Sequence, residues 1–429
     1  MRKMRDSGIE WVGAIPAAWG VHRIASHFQE IKEKNTANAY SNALQFKMGK
    51  IIAKPQKWDE DETNETYSAY TVVHPNTIMI NGLNLEFDFV TQRVARVECN
   101  GIITSAYIAL SPRDDINAEY ICYLLKSYDA CRAFHSMGRG LRKILSYSEL
   151  KNKPIVVPPL AEQERIAAFL DAECAEIDAV LEKTRASIEE YKKLKQAVIT
   201  QAVTKGIRGD RPMKDSGIEW IGDIPAEWNK DKVIRVFSVI GSGTTPKSSD
   251  ENLFDGNTPW IQSGDINGEN LFVTKNCVSN SAIESYSALR VYQAPYLVVA
   301  MYGASVGNLS LSMIDACVNQ ACCVLKKPTI NLKFAFYIFK AVKDYLARKA
   351  VGGGQPNISQ ETIKQLWLTI PSADEQIEIS NYLDEKCRSV DALIAKKQQY
   401  LIEIENYKKS LIYEYVTGKK EVKTSVLAD

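Results

Sequence analysis

The 429-residue sequence predicts an α+β fold in which two mixed α/β domains, related by a pseudo-two-fold axis, are separated by two long antiparallel coiled-coil helices. Two observations support this prediction: a tryptophan-containing string occurs twice, and a long helical segment also occurs twice. Internal repeats of this length have to be identified before secondary structure is assigned to individual segments. Each repeat therefore consists of a tryptophan string, a variable globular segment and a long helix.

The helical segment recurs at a shift of 213 residues. PPLAEQERIAAFLD begins at Pro158, and PSADEQIEISNYLD begins at Pro371. After each opening, apolar residues recur at alternating steps of four and three, which is the pattern of a coiled-coil seam. The predicted helix-pairing residues are Leu170, Ile177, Leu181, Ile188, Tyr191 and Val198 in the first copy, and Leu383, Val390, Ile394, Leu401, Ile404 and Leu411 in the second.

Polar residues interrupt the seam at equivalent places in the two copies. Lys195 and Lys408 occupy one pair of positions, and Thr184 and Lys397 occupy another. Polar residues at a seam lower stability and restrict the register, so specific pairing is expected. About forty helical residues would make a rod of roughly 60 Å, and its charged flanks indicate solvent exposure rather than burial in a helical domain.

The tryptophan string predicts the direction in which the helices pair. DSGIEWVGAIPAAW runs from Asp6 to Trp19 and returns as DSGIEWIGDIPAEW from Asp215 to Trp228. The second string follows the first helix after a short glycine- and proline-containing break. In cyclic order, the first string therefore takes the place that would follow the second helix. Antiparallel helices would bring this string close to the end of the second helix.

The variable segments contain both strand and helix patterns. In the first segment, runs rich in β-branched and aromatic residues predict strands at Tyr70–Ile80, Phe89–Val97 and Ile102–Leu110, and a helix is predicted at Ala118–Phe134. In the second segment, strands are predicted at Pro259–Gln262, Leu297–Met301 and Ala321–Leu325, with a helix at Leu332–Ala347. Neither segment alternates regularly enough to predict a parallel sheet. The predicted boundaries are 1–157 for the first string and domain, 158–208 for the first spacer helix, 209–370 for the second string and domain, 371–420 for the second spacer helix and 421–429 for a tail.

Composition restricts the class of protein. The net charge of +1 gives no overall electrostatic signature of a nucleic-acid-binding protein, so any such surface must be local. The nine cysteines and four histidines show no metal-ligand spacing, which favours a reduced, cytoplasmic protein without a metal site. No run of eighteen apolar residues predicts a membrane span.

Motifs of common catalytic sites are absent from both halves of the sequence. We find no phosphate-binding loop with its lysine, no zinc-protease motif, no nucleophile elbow and no adenine-methyltransferase tetrapeptide. The sequence therefore favours a non-catalytic protein, with a free-standing enzyme as a minor alternative.

Two domains with different surfaces on a shared rod favour recognition of two short targets at a fixed separation. Lysine and arginine can position a protein on phosphates, whereas arginine, asparagine and glutamine can read base edges. Taken singly, glycine loops and scattered basic residues are more often ordinary turns and solvated surface. The predicted DNA-binding residues are Lys47, Lys50, Arg93, Arg139, Arg142 and Lys143 in the first domain, and Thr244, Thr245, Lys247, Tyr302, Ser305, Asn319, Gln320, Gln355 and Asn357 in the second.

The order of motifs also carries a family resemblance. The second half contains GSGTTP, TPWIQSGDI, YGASVGN, NQA and GGGQPNIS, and both helices open with related EQ-x-x-I-x-x-x-L-D strings. With the two tryptophan strings, these motifs make the chain similar to the specificity (S) subunit of type I restriction-modification systems. The resemblance covers essentially the whole chain. The first domain departs from it, because it has no G-x-TP or W-x-x-x-GD motif and has Gly138-Arg-Gly140 in place of the GGGQP loop.

The resemblance implies a non-catalytic subunit whose two target-recognition domains each bind one half of a bipartite, asymmetric sequence in double-stranded DNA. It implies that the helices set the spacing and dock two methyltransferase (modification) subunits, and that ATP-dependent restriction subunits join the larger complex. No cofactor is expected on this chain, since S-adenosylmethionine, Mg and ATP would belong to partner subunits. Domains one to two duplex turns apart could meet the same groove face at about 34–36 Å per turn. A scaffold that binds partner proteins through its coiled coil is the alternative.

Overall fold

The protein folds into two compact units that share both long helices. A computed structural model describes residues 2–55, 66–89, 92–138, 143–352 and 356–423. The first unit combines Met1–Arg185 with Gln399–Asp429, and the second unit is the continuous segment Ala186–Gln398. The first unit is therefore built from both ends of the chain.

Two long helices stand out among the described helices, which otherwise have at most 18 residues. The first long helix, α5, has 46 residues and the second, α10, has 44. In chain order the helices are α1 (Ile24–His27), α2 (Ala118–Ala130), α3 (Ala133–Met137), α4 (Tyr147–Leu150), α5 (Leu160–Lys205), α6 (Val233–Val236), α7 (Asn280–Ser285), α8 (Leu332–Lys349), α9 (Gln360–Lys364) and α10 (Ala373–Val416).

The strands of the first unit form one four-stranded antiparallel sheet in the order β4-β11-β8-β9, together with two-stranded ladders β1-β2, β3-β12, β5-β6 and β7-β10. These strands are β1 (Met4–Asp6), β2 (Ala14–Pro16), β3 (Gly20–Arg23), β4 (Phe28–Glu30), β5 (Leu44–Lys47), β6 (Lys50–Ala53), β7 (Thr71–Val73), β8 (Ile78–Ile80), β9 (Val94–Arg96), β10 (Gly101–Ile103), β11 (Ile108–Pro112) and β12 (Pro154–Val157).

The second unit is built around a five-stranded sheet in the order β16-β23-β20-β21-β18 and a three-stranded sheet in the order β19-β17-β22. Its other ladders are β13-β14 and β15-β24. The strands are β13 (Met213–Asp215), β14 (Asp223–Pro225), β15 (Asn229–Lys232), β16 (Phe237–Gly241), β17 (Thr258–Ile261), β18 (Asn270–Leu271), β19 (Asn276–Val278), β20 (Tyr296–Ala300), β21 (Leu309–Ser312), β22 (Cys317–Val318), β23 (Cys322–Pro328) and β24 (Trp367–Ile370).

Each main sheet is buried on both faces. Alternate residues of a strand point to opposite faces, so Ile78 and Ile80 pack with α2 whereas Met79 packs with residues of the β5–β6 hairpin. In the second unit, Leu297 packs in the core that contains α8, while Val298 packs in a separate cluster with β17. Both faces of each sheet are therefore packed against other elements, and the loops at the strand ends are the parts that can carry exposed contact groups.

Several predicted strands are shorter in the structure because turns interrupt them. The predicted strand Tyr70–Ile80 is two strands, since the Thr77 N–H donates to the His74 carbonyl in a turn between them. In the described part of the predicted strand Phe89–Val97, β9 is the strand and Phe89 lies in a loop, while Val90 and Thr91 lie outside the described residues. The predicted helix Ala118–Phe134 breaks after α2, where Arg132 adopts a left-handed conformation with φ of 59°.

The antiparallel pairing of the long helices is confirmed within each unit. In the first unit, Lys408 contacts Asp178 at 2.6 Å and Arg185 contacts Glu405 at 2.8 Å, so position rises along one helix as it falls along the other. All twelve predicted helix-pairing side chains are buried or half-buried. In the second unit, the ammonium group of Lys397 lies 5.7 Å from the ring centroid of Tyr191, and Lys195 contacts Asp391 at 2.6 Å, which gives the same opposite order of positions.

The two tryptophan strings are joined to the long helices by the same contact. The indole N–H of Trp19 donates to a Glu162 carboxylate oxygen at 3.0 Å, and that of Trp228 donates to Glu375 at 2.8 Å. Arg211 also binds Glu375, at 2.6 Å. The glutamate of the EQ motif is therefore the acceptor that ties each string to the first turn of its helix.

The remaining letters of the helix-opening motif join the domain to the helix. The side-chain oxygen of Gln163 accepts from the backbone N–H of Asn117, which caps α2, at 2.9 Å. Gln376 accepts in the same way from Asn331, which caps α8, at 2.6 Å. At the end of the motif, Asp384 accepts from the Tyr337 hydroxyl at 2.7 Å. Burial and this carboxylate raise the pKa of Tyr337, so the phenol stays protonated and donates.

The first tryptophan string lies beside the end of the second long helix, as the cyclic order predicts. The carbonyl of Val12 accepts hydrogen bonds from the Tyr413 hydroxyl at 3.0 Å and the Lys419 ammonium group at 2.6 Å. Gly418 has a φ of +70°, and a side chain there would come within 2.4 Å of Pro16. A glycine is therefore required where the chain turns off α10 against the string.

None of the described helices is long and apolar enough to cross a membrane. Over the same described residues, no group of three or more histidine, cysteine or acidic side chains could hold a metal ion. The nine cysteines are all unpaired, and six of them are buried. The predicted domain boundaries stay predictions.

Candidate nucleic-acid interface

The predicted DNA-binding residues of the second domain meet at one end of the five-stranded sheet. β16 and β20 both end where the antiparallel strand between them, β23, begins. The loops at these strand ends carry Thr245, Tyr302, Asn319 and Gln320, and Tyr302 forms a β-bridge with Asn357. We call these five residues the second strand-end cluster. Residues that are up to 112 positions apart in the sequence are thereby brought onto one surface.

Hydrogen bonds hold half of this cluster in place. The Thr245 hydroxyl donates to the side-chain oxygen of Gln320 at 2.6 Å. The side-chain oxygen of Asn319 accepts from the backbone N–H of Ala321, so this amide is committed to the turn before β23. Gly243 lies so close to the Val318 carbonyl that a Cβ atom would be 1.7 Å away, which explains the second glycine of GSGTTP. Gln320 is exposed and free to offer its amide nitrogen.

The glycine loop forms the other half of the second strand-end cluster. Val351 and Asn357 exchange two backbone hydrogen bonds, of 2.9 and 3.0 Å, that close the loop between them. The Gly303 N–H donates to the Pro356 carbonyl at 2.8 Å, which joins this loop to the turn that carries Tyr302. Tyr302 is 45% exposed, and the Asn357 side chain is also exposed. Gln355 lies outside the described residues.

The other predicted residues of this domain lie around the cluster with different roles. The Ser305 hydroxyl donates to the Tyr302 carbonyl at 3.1 Å and so stabilises the turn. Thr244 is half-buried, whereas Lys247 is exposed and its backbone N–H donates to the Tyr286 hydroxyl at 3.1 Å. Lys247 is therefore available for a phosphate, while Ser305 is occupied within the protein.

The first domain has an equivalent strand end. The Leu145 N–H donates to the Gly82 carbonyl at 2.9 Å, just as the Ile358 N–H donates to the Met301 carbonyl at 2.9 Å in the second domain. The loop after β8 therefore corresponds to the Tyr302 turn after β20. Lys143, one of the predicted DNA-binding residues, is exposed beside this loop. Arg139 and Arg142 lie outside the described residues.

Lys47 and Lys50 flank the tip of the β5–β6 hairpin and are both exposed. The tip needs Gly49, whose φ is +71° and where a Cβ atom would come within 2.4 Å of the Gln92 side chain. Gln92 immediately precedes Arg93 and β9. The ammonium groups of Lys47 and Lys50 therefore lie at the same end of the sheet as the loop that contains Gly82.

The prediction that Arg93 binds DNA is wrong. Its side chain is fully buried, and its guanidinium group donates to the carbonyls of Leu83 and Asp88 at 2.7 Å and of Asn81 at 3.1 Å. The Asp88 carboxylate lies 3.7 Å away and partly balances the charge. A buried guanidinium that satisfies three carbonyls is committed to the protein, so Arg93 organises the loop after β8 rather than reaching a ligand.

The loop that Arg93 organises presents two aromatic side chains that the sequence patterns assigned to no function. Phe87 is 76% exposed and Phe89 is 54% exposed. Phe89 stacks on His135 at 5.0 Å, and the Arg132 guanidinium lies 5.1 Å from its ring centroid. The strand pattern misplaced Phe89, but the preceding Asn-Gly-Leu-Asn sequence, which is typical of turns, could have indicated a loop.

The two strand ends differ in chemistry. The first offers exposed lysines and aromatic rings, whereas the second offers side-chain amides, a hydroxyl and Tyr302. Such groups can bind phosphates, stack on or pack against bases, and read base edges. Equivalent positions with different side chains are what two separate recognition surfaces require.

Comparison with known proteins identifies the group to which this architecture belongs. The family described as "Type I restriction modification DNA specificity domain" matches residues 99–190 and 225–406, which together exceed half of the chain. The chain belongs to this family. It is a type I restriction-modification specificity subunit, and the catalytic activities of such systems lie in other subunits.

Individual relatives of this specificity subunit extend over most of its length. The type I restriction enzyme MjaVIII specificity subunit of Methanocaldococcus jannaschii is 23% identical over 427 residues, which is 95% of this chain and 94% of the relative. The EcoBI specificity subunit of Escherichia coli is 22% identical over 65% of this chain and 60% of its own length. A solved chain from work on complex assembly and conformational transition of the type I R-M system has a TM-score of 0.73 at 15% identity, over 95% of this chain and 99% of that one. The fold is therefore shared along the whole specificity subunit.

The long helices of the specificity subunit also expose apolar side chains at repeated positions. In the first unit Val180 is 40% exposed and Tyr407 is 54% exposed, and in the second unit Leu393 is 44% and Leu194 is 50% exposed. Val180 and Leu393 are equivalent at the shift of 213, as are Leu194 and Tyr407. At these repeated positions, each unit has one exposed apolar residue on each long helix, and none of the four is a predicted seam residue.

Proposed function

We propose that each domain reads one half of a bipartite, asymmetric DNA sequence and that the long helices set the distance between the two halves. The observation that carries this proposal is the pair of equivalent strand ends. Both are held by the same backbone hydrogen bonds at Leu145 and Ile358, and each presents different side chains. A shared framework with different contact groups suits two readers of different sequences.

The test of modular reading is a domain exchange. Residues 20–157 are replaced by the corresponding segment of another specificity subunit, and the chain is co-expressed with its methyltransferase partner. Mapping of methylated bases should then show a change in one half of the recognised sequence and no change in the other. If both halves change, or neither does, the modular proposal is wrong.

The spacing role is tested on the helices. Insertion of seven residues at matching seam positions in α5 and α10 preserves the heptad register, because the seam repeats every seven residues. The two half-sites should stay the same while the unread spacer between them becomes longer. An insertion of five residues in each helix is the matched control, since it turns the seam residues away from the partner helix and should disrupt the pairing. An unchanged spacer with the seven-residue insertion would show that the helices do not set the distance.

The proposal also includes docking of two methyltransferase subunits on the outer faces of the helices. Support comes from the repeated exposed apolar residues, because two identical partners need two similar surfaces. Leu194→Glu and Tyr407→Glu, singly and together, should reduce co-purification of the methyltransferase, with the double variant losing both copies. Glu182→Lys, on an exposed position of the same helix, is the control for a general change in surface charge. Full retention of two partner copies by the double variant would place docking elsewhere.

Cofactors and location follow from the same assignment. We propose that S-adenosylmethionine, Mg and ATP are bound by the methyltransferase and by restriction subunits of the larger complex, and that this chain acts in the cytoplasm. Support for a reducing compartment comes from nine unpaired cysteines.

A scaffold without DNA recognition is the competing function. Binding of the methyltransferase complex to random duplex DNA, followed by selection and sequencing, distinguishes the two, because a scaffold would enrich no sequence.

A further inference from the structure

We propose that Phe87 and Phe89 contact base pairs in the half-site read by the first domain, and that they are specificity-determining residues of this domain. The inference rests on the proposed function and deepens it, because it assigns the reading of one half-site to an aromatic loop. We call residues 81–89 the aromatic loop.

The first argument is where the apolar surface lies. Among the described residues between positions 20 and 157, the large apolar side chains that are exposed are those of Met48, Ile52, Phe87, Phe89 and Ile144. Met48 is at the hairpin tip next to Lys47, and Ile144 follows Lys143. Four of the five therefore belong to segments that meet at one end of the sheet. Exposed apolar side chains gathered in one place mark an interaction surface.

The second argument is the rigidity of the aromatic loop. The buried guanidinium of Arg93 binds three of its carbonyls, at Asn81, Leu83 and Asp88. The Leu85 N–H donates to the Lys143 carbonyl at 3.2 Å, which fixes the middle of the loop. A loop held in this way loses little conformational entropy when a ligand binds. Its two phenylalanines are thus held exposed on a fixed backbone.

The charges around the loop favour DNA as the occupant. Lys47 and Lys50 lie on the hairpin, Lys143 lies on the segment that accepts the Leu85 hydrogen bond, and the Arg132 guanidinium lies over the Phe89 ring. The two acids of the loop, Glu86 and Asp88, are both half-buried, and the Asp88 carboxylate is near Arg93. Cations around apolar rings match a duplex, which presents phosphates on either side of base surfaces.

The equivalence with the second domain gives independent support. The Leu85–Lys143 hydrogen bond has a counterpart in the Gly303–Pro356 hydrogen bond, at the equivalent strand end. Each domain has an exposed aromatic residue near this hydrogen bond, Phe87 two positions after Leu85 and Tyr302 one position before Gly303. An aromatic group beside the glycine loop is therefore a shared feature of both strand ends.

Two base contacts are open to a phenylalanine in this position. It can pack on the C5-methyl group of thymine in the major groove. It can also insert between base pairs from the minor groove and unstack them. Replacing each thymine of the first half-site by deoxyuridine separates these contacts, because only the first depends on the methyl group.

The experiment uses the full chain purified with its methyltransferase partner. Phe87→Ala and Phe89→Ala are compared with wild type by selection of methylated sites from a randomised duplex library. Phe87→Ala should reduce discrimination in the first half-site by roughly tenfold at one or two positions, in line with the loss of a base contact, and leave the second half-site unchanged. Both residues are more than half exposed, so the variants should fold.

Phe272→Ala is the matched control. Phe272 is 61% exposed and follows β18, at the opposite end of the second-domain sheet from Tyr302. This variant should change neither half-site. Phe272 lies in the other unit and away from its strand-end cluster. A general effect of removing an exposed phenylalanine would therefore appear in this variant as well as in Phe87→Ala.

Each remaining outcome overturns the inference. Unchanged discrimination in the first half-site with Phe87→Ala and with Phe89→Ala would show that the aromatic loop reads no bases. Loss of the methyltransferase from the purified complex would show that the loop contacts protein. If wild type itself selects no bipartite sequence, the proposed function fails as well. If wild type is selective and both Phe87→Ala and Phe89→Ala leave its selection unchanged, only the inference fails.

Discussion

The ammonium group of Lys195 lies 2.6 Å from a carboxylate oxygen of Asp391 on the opposite long helix. The same contact occurs 213 positions away, where Lys408 lies 2.6 Å from Asp178. Each lysine interrupts the apolar seam of its helix but reaches an acidic residue beside the seam of its partner. The two interruptions are therefore paired ions, and each pair fixes the register within one unit.

A charge swap at this pair should reveal its role in register. Lys195→Glu should destabilise the second unit by about 1 kcal/mol, because attraction becomes repulsion at a half-exposed site. The double variant Lys195→Glu with Asp391→Lys should recover most of the loss. Unfolding by urea, at low and high salt, measures both effects, and salt should reduce them. A double variant as unstable as the single one would mean that the pair does not act as a pair.

The tryptophan–glutamate contacts should differ in strength between the units. The Glu375 side chain is 3% exposed and binds both Arg211 and Trp228, so Glu375→Gln should cost roughly 2–4 kcal/mol by leaving a buried cation poorly paired. Glu162 is 13% exposed and the matched change there should cost less. Trp228→Phe should cost about 1–2 kcal/mol through the lost hydrogen bond. Thermal unfolding of the three variants checks this order, which equal losses would contradict.

Arg93 is expected to be a stability residue. Arg93→Ala leaves three loop carbonyls without their donor and should destabilise the first unit by roughly 3 kcal/mol. Arg93→Lys should recover only part of the lost stability. Its ammonium group can still donate hydrogen bonds, but it cannot reach all three carbonyls in the same geometry. Denaturant unfolding measures the loss, with Arg132→Ala, which removes a surface cation, as control. A stable Arg93→Ala variant with weaker DNA binding would reinstate the direct contact.

Two variants in the second domain should separate base reading from phosphate binding. Asn357→Ala should relax specificity in the second half-site, because an exposed amide on a closed loop can bond a base edge. Lys247→Ala should weaken binding to all sequences and lower the slope of affinity against salt by about one. Competition binding at several salt concentrations provides both readouts. A uniform loss with Asn357→Ala would assign this residue to positioning instead.

The cysteines should react in an order set by burial. Burial raises the pKa of Cys322 and of Cys323 to about 12 and that of Cys317 to about 11. Since the thiolate is the reactive form, on the order of one in ten thousand Cys322 side chains is reactive at pH 8. Alkylation at this pH, followed by peptide mass spectrometry, should label the exposed Cys99 first. Early labelling of Cys322 in the folded protein would contradict its place in the sheet.

The sequence predicted what depends on repetition and periodicity. The seam residues, the direction of the long helices and the position of the first string all follow from patterns that are visible without coordinates. The ionic partners of Lys195 and Lys408 could not be predicted in this way. Many acidic residues flank the seam, and only the register of the two paired helices decides that Asp391 and Asp178 face these lysines. Periodicity gives the face of a helix but not its lateral neighbour.

The candidate site was predicted less completely, and Arg93 shows why. Arg93 lies within a predicted strand and suggests a surface cation, but its burial is decided by loop carbonyls five to twelve positions earlier in the sequence. The same loop exposes Phe87, which hydrophobicity alone would place inside. Second-domain residues were found more readily because their motifs are regular, and even there the contact between Thr245 and Gln320 depends on strand order.

The hydrogen bond from Tyr413 to the Val12 carbonyl joins residues that are 401 positions apart. Since the first unit includes Gln399–Asp429, it cannot be completed until these residues have been synthesised, although its other residues emerge first. The second unit is continuous and has all its residues earlier. During translation, the second unit can therefore reach its native fold before the first. The first unit can complete its fold only after its carboxyl-terminal segment has been synthesised.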